Sequence, residues 1–276
     1  MIYDDVTYDP AKHLILFIHI RKNGGSTLLT RLSEVLPARP PAQTARRLGM
    51  QGLESHDQGF LLMHEHARRR LIHWRQEIWH ETRRMLGLSN ASMDTVAMAT
   101  GHVQLDSIRT GRRMPLMITT TRDPVDRMVS EYFFTRDKVV ANPRPARAAK
   151  KISAWAMEFE PWAESLLEQA DRLPLNGQCR YISPKGDFES ARRIIDERFL
   201  LAAPLSQMQR FTELLGAKLN VGLTEGRREN AGRSRPARFE VPAQLRSRIE
   251  SALAEDVALH AHVSREFTAL AARHGV

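Results

Sequence analysis

Leu14-Ile15-Leu16-Phe17-Ile18-His19-Ile20-Arg21-Lys22-Asn23-Gly24-Gly25-Ser26-Thr27-Leu28 is the stretch on which the fold turns. Leu14 to Ile18 is an unbroken, partly β-branched apolar run. A strand covered on both faces reads this way, with no polar alternation. The run stops at Arg21-Lys22-Asn23-Gly24-Gly25, a glycine turn. Ser26, Thr27, Leu28, Leu29, Leu32 and Val35 then recur at helical spacing until the Pro-rich stretch from Pro37 to Pro41 breaks the pattern. The unit is a buried strand, a glycine loop and a helix.

Working outward, the same unit returns at Leu116-Met117-Ile118-Thr119-Thr120-Thr121. That run ends at Arg122-Asp123-Pro124, and Val125, Met128, Val129, Tyr132 and Phe133 form a helical stripe behind it. Asp94 to Val103 reads as strand into loop, and Phe199 to Ala203 as another buried strand. Helices are expected over His64 to Leu86, Lys150 to Ala170, Phe188 to Asp196, and Ser206 to Leu215, the last stopping at Gly216. Strands alternating with helices imply an α/β fold: a mainly parallel sheet flanked by helices, with its ligand site at the carboxyl ends of the strands. No internal repeat and no clean boundary divides residues 1–276, so a single domain is expected. Residues 224–239, rich in Arg, Gly, Ser and Pro, read as an extended, mobile arm.

Composition narrows the function classes. The 276 residues carry 41 Lys and Arg against 32 Asp and Glu, a net charge of +9, and 42% are hydrophobic, which is the balance of a globular chain. One cysteine, Cys179, cannot form an internal disulfide, and no Cys/His spacing resembles a zinc site. The longest apolar run is far short of the ~20 residues that span a bilayer, and no signal-peptide pattern precedes it. No membrane span and a cytoplasmic location are the expectation. Only seven of the cations are lysines. Arginine favours two-point contacts to oxyanions, so a polyanionic partner is indicated alongside the plainer reading of a solvated basic surface.

Both strand-end loops are candidates for phosphate. In Lys22-Asn23-Gly24-Gly25-Ser26-Thr27 the glycines let the backbone approach an anion, the helix start offers N–H groups, and Lys22, Ser26 and Thr27 add a charge and two hydroxyls. An ordinary ATP or GTP loop ends in Gly-Lys-Ser/Thr, whereas here the lysine precedes the glycines. At the second loop Arg122 sits at the strand end and Ser130 about two turns along the helix that Pro124 opens. The two can hold one phosphate only if the loop brings Arg122 back over that helix. The alternative is that Asp123 caps the helix and Arg122 pairs with a surface carboxylate.

Together the two segments resemble the PAPS-dependent sulfotransferases, in particular the carbohydrate branch that includes heparan sulfate 2-O-sulfotransferase. His19 to Leu28 is similar to the family's 5′-phosphosulfate loop, and Arg122-Asp123-Pro124 with Arg127, Ser130 and Tyr132 to its 3′-phosphate motif. Asn176-Gly177-Gln178-Cys179-Arg180-Tyr181-Ile182 looks like the family's Asn-x-Gln-x-Arg-Tyr-Leu region, and Arg235-Pro236 with Asp256 like its closing stretch. Arg21 stands where a proline is usual and Asn23 where a threonine is usual. The resemblance implies a P-loop-like sheet and transfer of a sulfuryl group from PAPS to an acceptor hydroxyl, of a carbohydrate or glycolipid, with no metal. It implies that Lys22, Asn23, Gly24, Gly25, Ser26 and Thr27 hold the 5′ side, Lys22 stabilising the leaving phosphate. Arg122 and Ser130 would hold the 3′-phosphate, with Arg180 and Tyr181 bordering the nucleotide. His102, just after a predicted strand, matches the branch's catalytic histidine, with Glu65 and Glu77 as alternative bases.

His66, His73 and His80 recur at seven-residue spacing, about 10.5 Å apart along a helix, so they form a stripe rather than a metal site. Partners expected are PAPS and an acceptor, an acidic glycan or lipid headgroup. Two competing classes remain open: a non-catalytic basic polyanion or nucleic-acid binder, and a P-loop-type kinase. No RRM, KH or zinc-finger signature supports nucleic acid, which is not expected as a partner.

Overall fold

The computed structural model describes residues 1–35, 53–56, 60–63, 98–101, 113–141, 157–170, 175–223, 236 and 239–276. Within these, strands β1 (His13–Ile18), β2 (Leu53–His56), β3 (Phe60–Met63), β4 (Met98–Gly101), β5 (Met114–Thr121) and β6 (Phe199–Pro204) form one sheet in the order β2-β3-β4-β1-β5-β6. Every neighbouring pair is parallel except β2 with β3, an antiparallel edge that the sequence pattern did not reveal. The described helices are α1 (Gly25–Val35), α2 (Pro124–Ala141), α3 (Phe159–Leu167), α4 (Gly177–Ile182), α5 (Phe188–Arg198), α6 (Met208–Leu219), α7 (Ala243–Ala252) and α8 (Ala254–Arg273). The protein is thus α/β, with a mainly parallel sheet flanked by helices. Among the described residues no helix is long and apolar enough to cross a membrane.

The continuous apolar run of β1 is explained by cover on both faces. Leu14, Leu16 and Ile18 join Met117 and Ala202 against Cys179 and Ile182 of α4 and Ala191 and Ile195 of α5. Ile15 and Phe17 join Leu116, Ile118 and Leu201 against Leu28 and Leu32 of α1 and Phe211, Leu214 and Leu215 of α6. Each such Leu, Ile or Phe contributes about 1.5–3 kcal/mol by leaving water. Helix α8 contacts both cores, through Leu259 and Val263 on one side and Phe267 and Leu270 on the other. A register shift between Met117 and Ile118 leaves Leu200 as an extra residue in β6, so Leu200 and Leu201 both enter the same core.

A third core contains no strand. Val125, Val129, Tyr132 and Phe133 of α2 pack on Phe159 and Trp162 of α3 and Leu245 and Ile249 of α7. Tyr132 lies 5.5 Å from Phe159 and 5.1 Å from Trp162, ring centroid to ring centroid, and its hydroxyl donates to Met157 O at 2.6 Å. The stripe expected behind Pro124 is therefore a packing face.

Two helix boundaries differ from expectation. Of Lys150 to Ala170, the described part is helical only over Phe159–Leu167, and Met157 and Glu158 precede the helix. Helix α6 runs through Gly216 and ends at Asn220, whose φ is +54°. Val221 N donates to Gly216 O at 2.9 Å and Asn220 N to Ala217 O, the paired closure that follows a left-handed residue. Gly216 is glycine for another reason: a Cβ there would lie 2.8 Å from Val221 O.

Candidate functional site

The order of the strands marks one place on the sheet. From β1 the chain moves through α1 to strands on one side, and from β5 it moves to β6 on the other, with α1 and the α4–α5 pair on opposite faces. The loops leaving β1 and β5 therefore stand at the carboxyl ends of neighbouring strands where the strand order reverses, the usual ligand position in such sheets. Lys22 and Arg122 belong to these two loops.

The loop after β1 is shaped by backbone conformation. Lys22 and Gly24 both take left-handed conformations, with φ of +67° and +77°. The Asn23 N–H between them donates back to Ile20 O at 3.3 Å, which closes the turn. Gly24 could not be replaced cheaply, since a Cβ would meet Leu205 Cδ1 at 2.3 Å, and at Gly25 a Cβ would fall 2.1 Å from His19 Cδ2. His19 is held in place by stacking on Phe17, with centroids 5.3 Å apart and planes 13° from parallel. Gly25, Ser26 and Thr27 open α1, so their N–H groups belong to the first turn, which has no intrahelical acceptors.

The loop after β5 is shaped by side chains. Asp123 Oδ1 accepts Asp126 N at 2.8 Å and caps α2, and Pro124 occupies its first position. Arg122 turns toward the neighbouring loop. Its Nη1 donates to Lys22 O at 3.1 Å, which carries the guanidinium across to the neighbouring loop. Lys22 in turn lays its Nζ over the Phe134 ring of α2, 3.6 Å from the centroid, and Arg21 pairs with Glu131 of α2 at 3.0 Å. Ser130 and Phe134 stand four residues apart on α2, on one face. The loop after β1, Arg122 and the Ser130 face of α2 are thus neighbours.

Three buried threonines end β5, and each has a separate task. Thr119 Oγ1 donates to Ile18 O at 2.8 Å, Thr120 Oγ1 to Asn23 O at 2.7 Å, and Thr121 Oγ1 meets His260 Nδ1 at 3.0 Å. Burial holds His260 below the ordinary imidazole pKa, against the opposing pull of Asp123 and Asp126. Burial also pushes the Cys179 thiol up, with Asp256 adding to the effect. A thiol kept protonated is no nucleophile.

Of the residues singled out in sequence, Lys22 and Gly24 lie in the loop after β1, Gly25, Ser26 and Thr27 in the first turn of α1, and Arg122 in the loop after β5, bonded to Lys22 O. The Asn23 side chain is fully buried and its Nδ2 donates to Thr120 O and Gln178 Oε1, both at 2.8 Å, so it braces the loop. Arg180 and Tyr181 lie on α4, Arg180 exposed beside Gly186 and Tyr181 packed partly on the core. His102, Glu65, Glu77, the histidine stripe and most of 224–239 fall outside the described residues. Gln178 and Asp256 were quoted in motifs without a role, and both prove central. Gln178 Oε1 accepts Arg122 N at 3.0 Å while its Nε2 donates to Arg122 O at 2.9 Å. Asp256, with no exposed surface, accepts Gln178 N and Cys179 N at 3.0 and 2.9 Å and faces Arg127 Nη2 at 3.7 Å. Polar types among apolar ones in Asn176 to Ile182 were the only signal available. No protein-family model and no curated protein matches this chain.

Proposed function

We propose that this chain is a PAPS-dependent sulfotransferase of P-loop-like fold. Its acceptor would be a hydroxyl of a carbohydrate or glycolipid. The observation that carries the reading is the hydrogen bond from Arg122 Nη1 to Lys22 O at 3.1 Å. It joins a loop suited to a 5′-phosphate and an arginine suited to a 3′-phosphate at neighbouring strand ends, and an adenosine carrying both groups would span them. The first turn of α1, opened by Gly25, fits an anion in its backbone N–H groups.

When bound, PAPS supplies an activated sulfuryl group. Lys22, now over Phe134, would turn to the leaving phosphate, where its charge would count most as negative charge develops. Gly24, Gly25, Ser26 and Thr27 hold the 5′-phosphate by backbone N–H and hydroxyl groups. Arg122 and Ser130 hold the 3′-phosphate, with Arg180 and Tyr181 at its border. His102 follows Gly101 in sequence, and Gly101 is in register with Ile18 of β1. That order supports His102 as the base that takes the acceptor proton.

The test is labelled-PAPS transfer to acidic polysaccharides, glycolipids and simple hydroxyl acceptors, with parallel binding of adenosine 3′,5′-bisphosphate, ATP and single-stranded DNA. Transfer, with bisphosphate bound in preference to ATP, is expected. Transfer of phosphate from ATP would make the chain a kinase, and DNA binding alone a basic polyanion binder.

A further inference from the structure

We infer that Gln178 is the positioning residue that fixes Arg122 relative to the loop after β1, and so sets selectivity for a ligand with two phosphates over one with a single phosphate. The inference rests on the proposed function for its ligand, but its geometry does not. Arg122 N is a donor and Arg122 O an acceptor, so the Gln178 carboxamide can face them in one sense only, oxygen to N–H and nitrogen to C=O. That sense leaves Oε1 toward Asn23, which must then present Nδ2, and Nδ2 also satisfies Thr120 O. One buried carboxamide therefore holds the backbone from which the Arg122 side chain departs and the residue after Lys22.

The chain of support continues behind it. Gln178 is the second residue of α4, whose opening amides are capped by Asp256 of α8, and Asp256 N is held by Asn176 Oδ1 at 3.2 Å. The cap comes from a residue 78 positions away, so α4 is seated by the end of the chain before it can seat the two loops. Gln178 reaches the two loops through Arg122 and Asn23. Gln178 acts through them, and its removal should harm only ligands that need both loops at a fixed separation.

The experiment uses the full chain with Gln178→Met, which fills the space without hydrogen bonds, and Gln178→Glu, which matches the amide only when protonated. The charged groups around position 178 are Asp256 on α8, Arg127 on α2 and Arg122 itself, with His260 beside Thr121. Affinities for adenosine 3′,5′-bisphosphate and 5′-AMP are measured by calorimetry, with urea unfolding to establish that each variant folds. Gln178→Met should weaken the bisphosphate at least tenfold and 5′-AMP less than threefold, and adding Arg122→Ala should cost nothing further. Gln178→Glu should approach wild type at pH 5.5 and lose the bisphosphate at pH 8, each compared with wild type at the same pH. Equal losses for both nucleotides, or additive effects of Gln178→Met and Arg122→Ala, would overturn the inference. Amide exchange supplies a ligand-free readout: Gln178→Met should expose the Arg122 N–H at least tenfold faster while strand β1 stays protected. Wild type that binds neither nucleotide would remove the sulfotransferase reading alone, and unchanged exchange at Arg122 would remove the positioning role whatever binds.

Discussion

The loops after β1 and β5 lie side by side and are built from opposite materials. The first owes its shape to what is missing, since Gly24 and Gly25 leave room for Leu205 and for the His19 ring. The second owes its shape to what is added from afar: Gln178 grips the backbone of Arg122, and Asp256 holds the helix that carries Gln178. A loop shaped by absent side chains depends first on its own residues, even where Thr120 and Gln178 brace Asn23, whereas a loop gripped through its backbone by a remote carboxamide fails when distant residues change. The largest effect should therefore come from far outside the two loops. Asp256→Ala removes a fully buried carboxylate, leaving Arg127 without its partner and two opening amides of α4 without acceptors. Breaking a buried pair costs about 3–5 kcal/mol, read in urea unfolding. A loss under 1 kcal/mol would mean that α4 is seated by Cys179 and Ile182 packing alone.

The glycine loop should break next. Gly24→Ala meets two penalties together, a left-handed φ of +77° and the clash with Leu205. Left-handed backbone costs about 1–2 kcal/mol for a residue with a Cβ, and overpacking typically adds 1–3 kcal/mol. A total of about 2–5 kcal/mol is expected in the same unfolding measurement. Lys22 already bears a φ of +67°, so Lys22→Gly should be neutral or stabilising. If Lys22→Gly destabilises as much as Gly24→Ala, then contact with Phe134, and not backbone conformation, holds the loop.

This contrast also explains how much could be read from sequence. The strand-loop-helix units were legible because buried parallel strands announce themselves as apolar runs, and because glycines and Asp-Pro punctuate locally. The loops that hold Lys22, Gly24, Gly25 and Arg122 were placed at strand ends for the same reason. Gln178 and Asp256 stand 78 residues apart and follow no common period, so only the fold brings them into contact. Gly216 misled because a glycine late in a helix is ordinarily a stop, and here its missing Cβ accommodates Val221 O while Asn220 does the stopping. The inward turn of the Asn23 side chain to Thr120 and Gln178 was not legible, because its partners lie 97 and 155 residues away.

A double substitution sharpens the account of the first loop. Gly25→Ala places a Cβ against the His19 ring, which stacking on Phe17 prevents from moving freely. The expected cost is about 1–3 kcal/mol. His19→Ala should be mildly destabilising alone but should cancel most of the Gly25→Ala penalty when the two are combined, because the obstacle is the ring itself. Additive losses would place the penalty in the α1 backbone.

The smallest effect belongs to the second loop and is read through pH. His260 sits 3.0 Å from Thr121 Oγ1, and burial lowers its pKa more than Asp123 and Asp126 raise it. The folded state therefore takes up this proton at lower pH than the unfolded chain, whose imidazole titrates near 6.5. The sign follows from linkage: the contribution is fully present above about pH 6.5 and is lost as pH falls through that value toward the folded pKa. His260→Asn keeps an acceptor near Thr121 and removes the titration. Wild type should lose more stability than the variant between pH 8 and pH 5 in urea unfolding, with the two curves nearly parallel above pH 7. A variant that loses more on acidification would mean that the imidazolium is welcomed by Asp123 and Asp126. The end of β5 would then be held by charge, and the contrast with the glycine loop would be wider still.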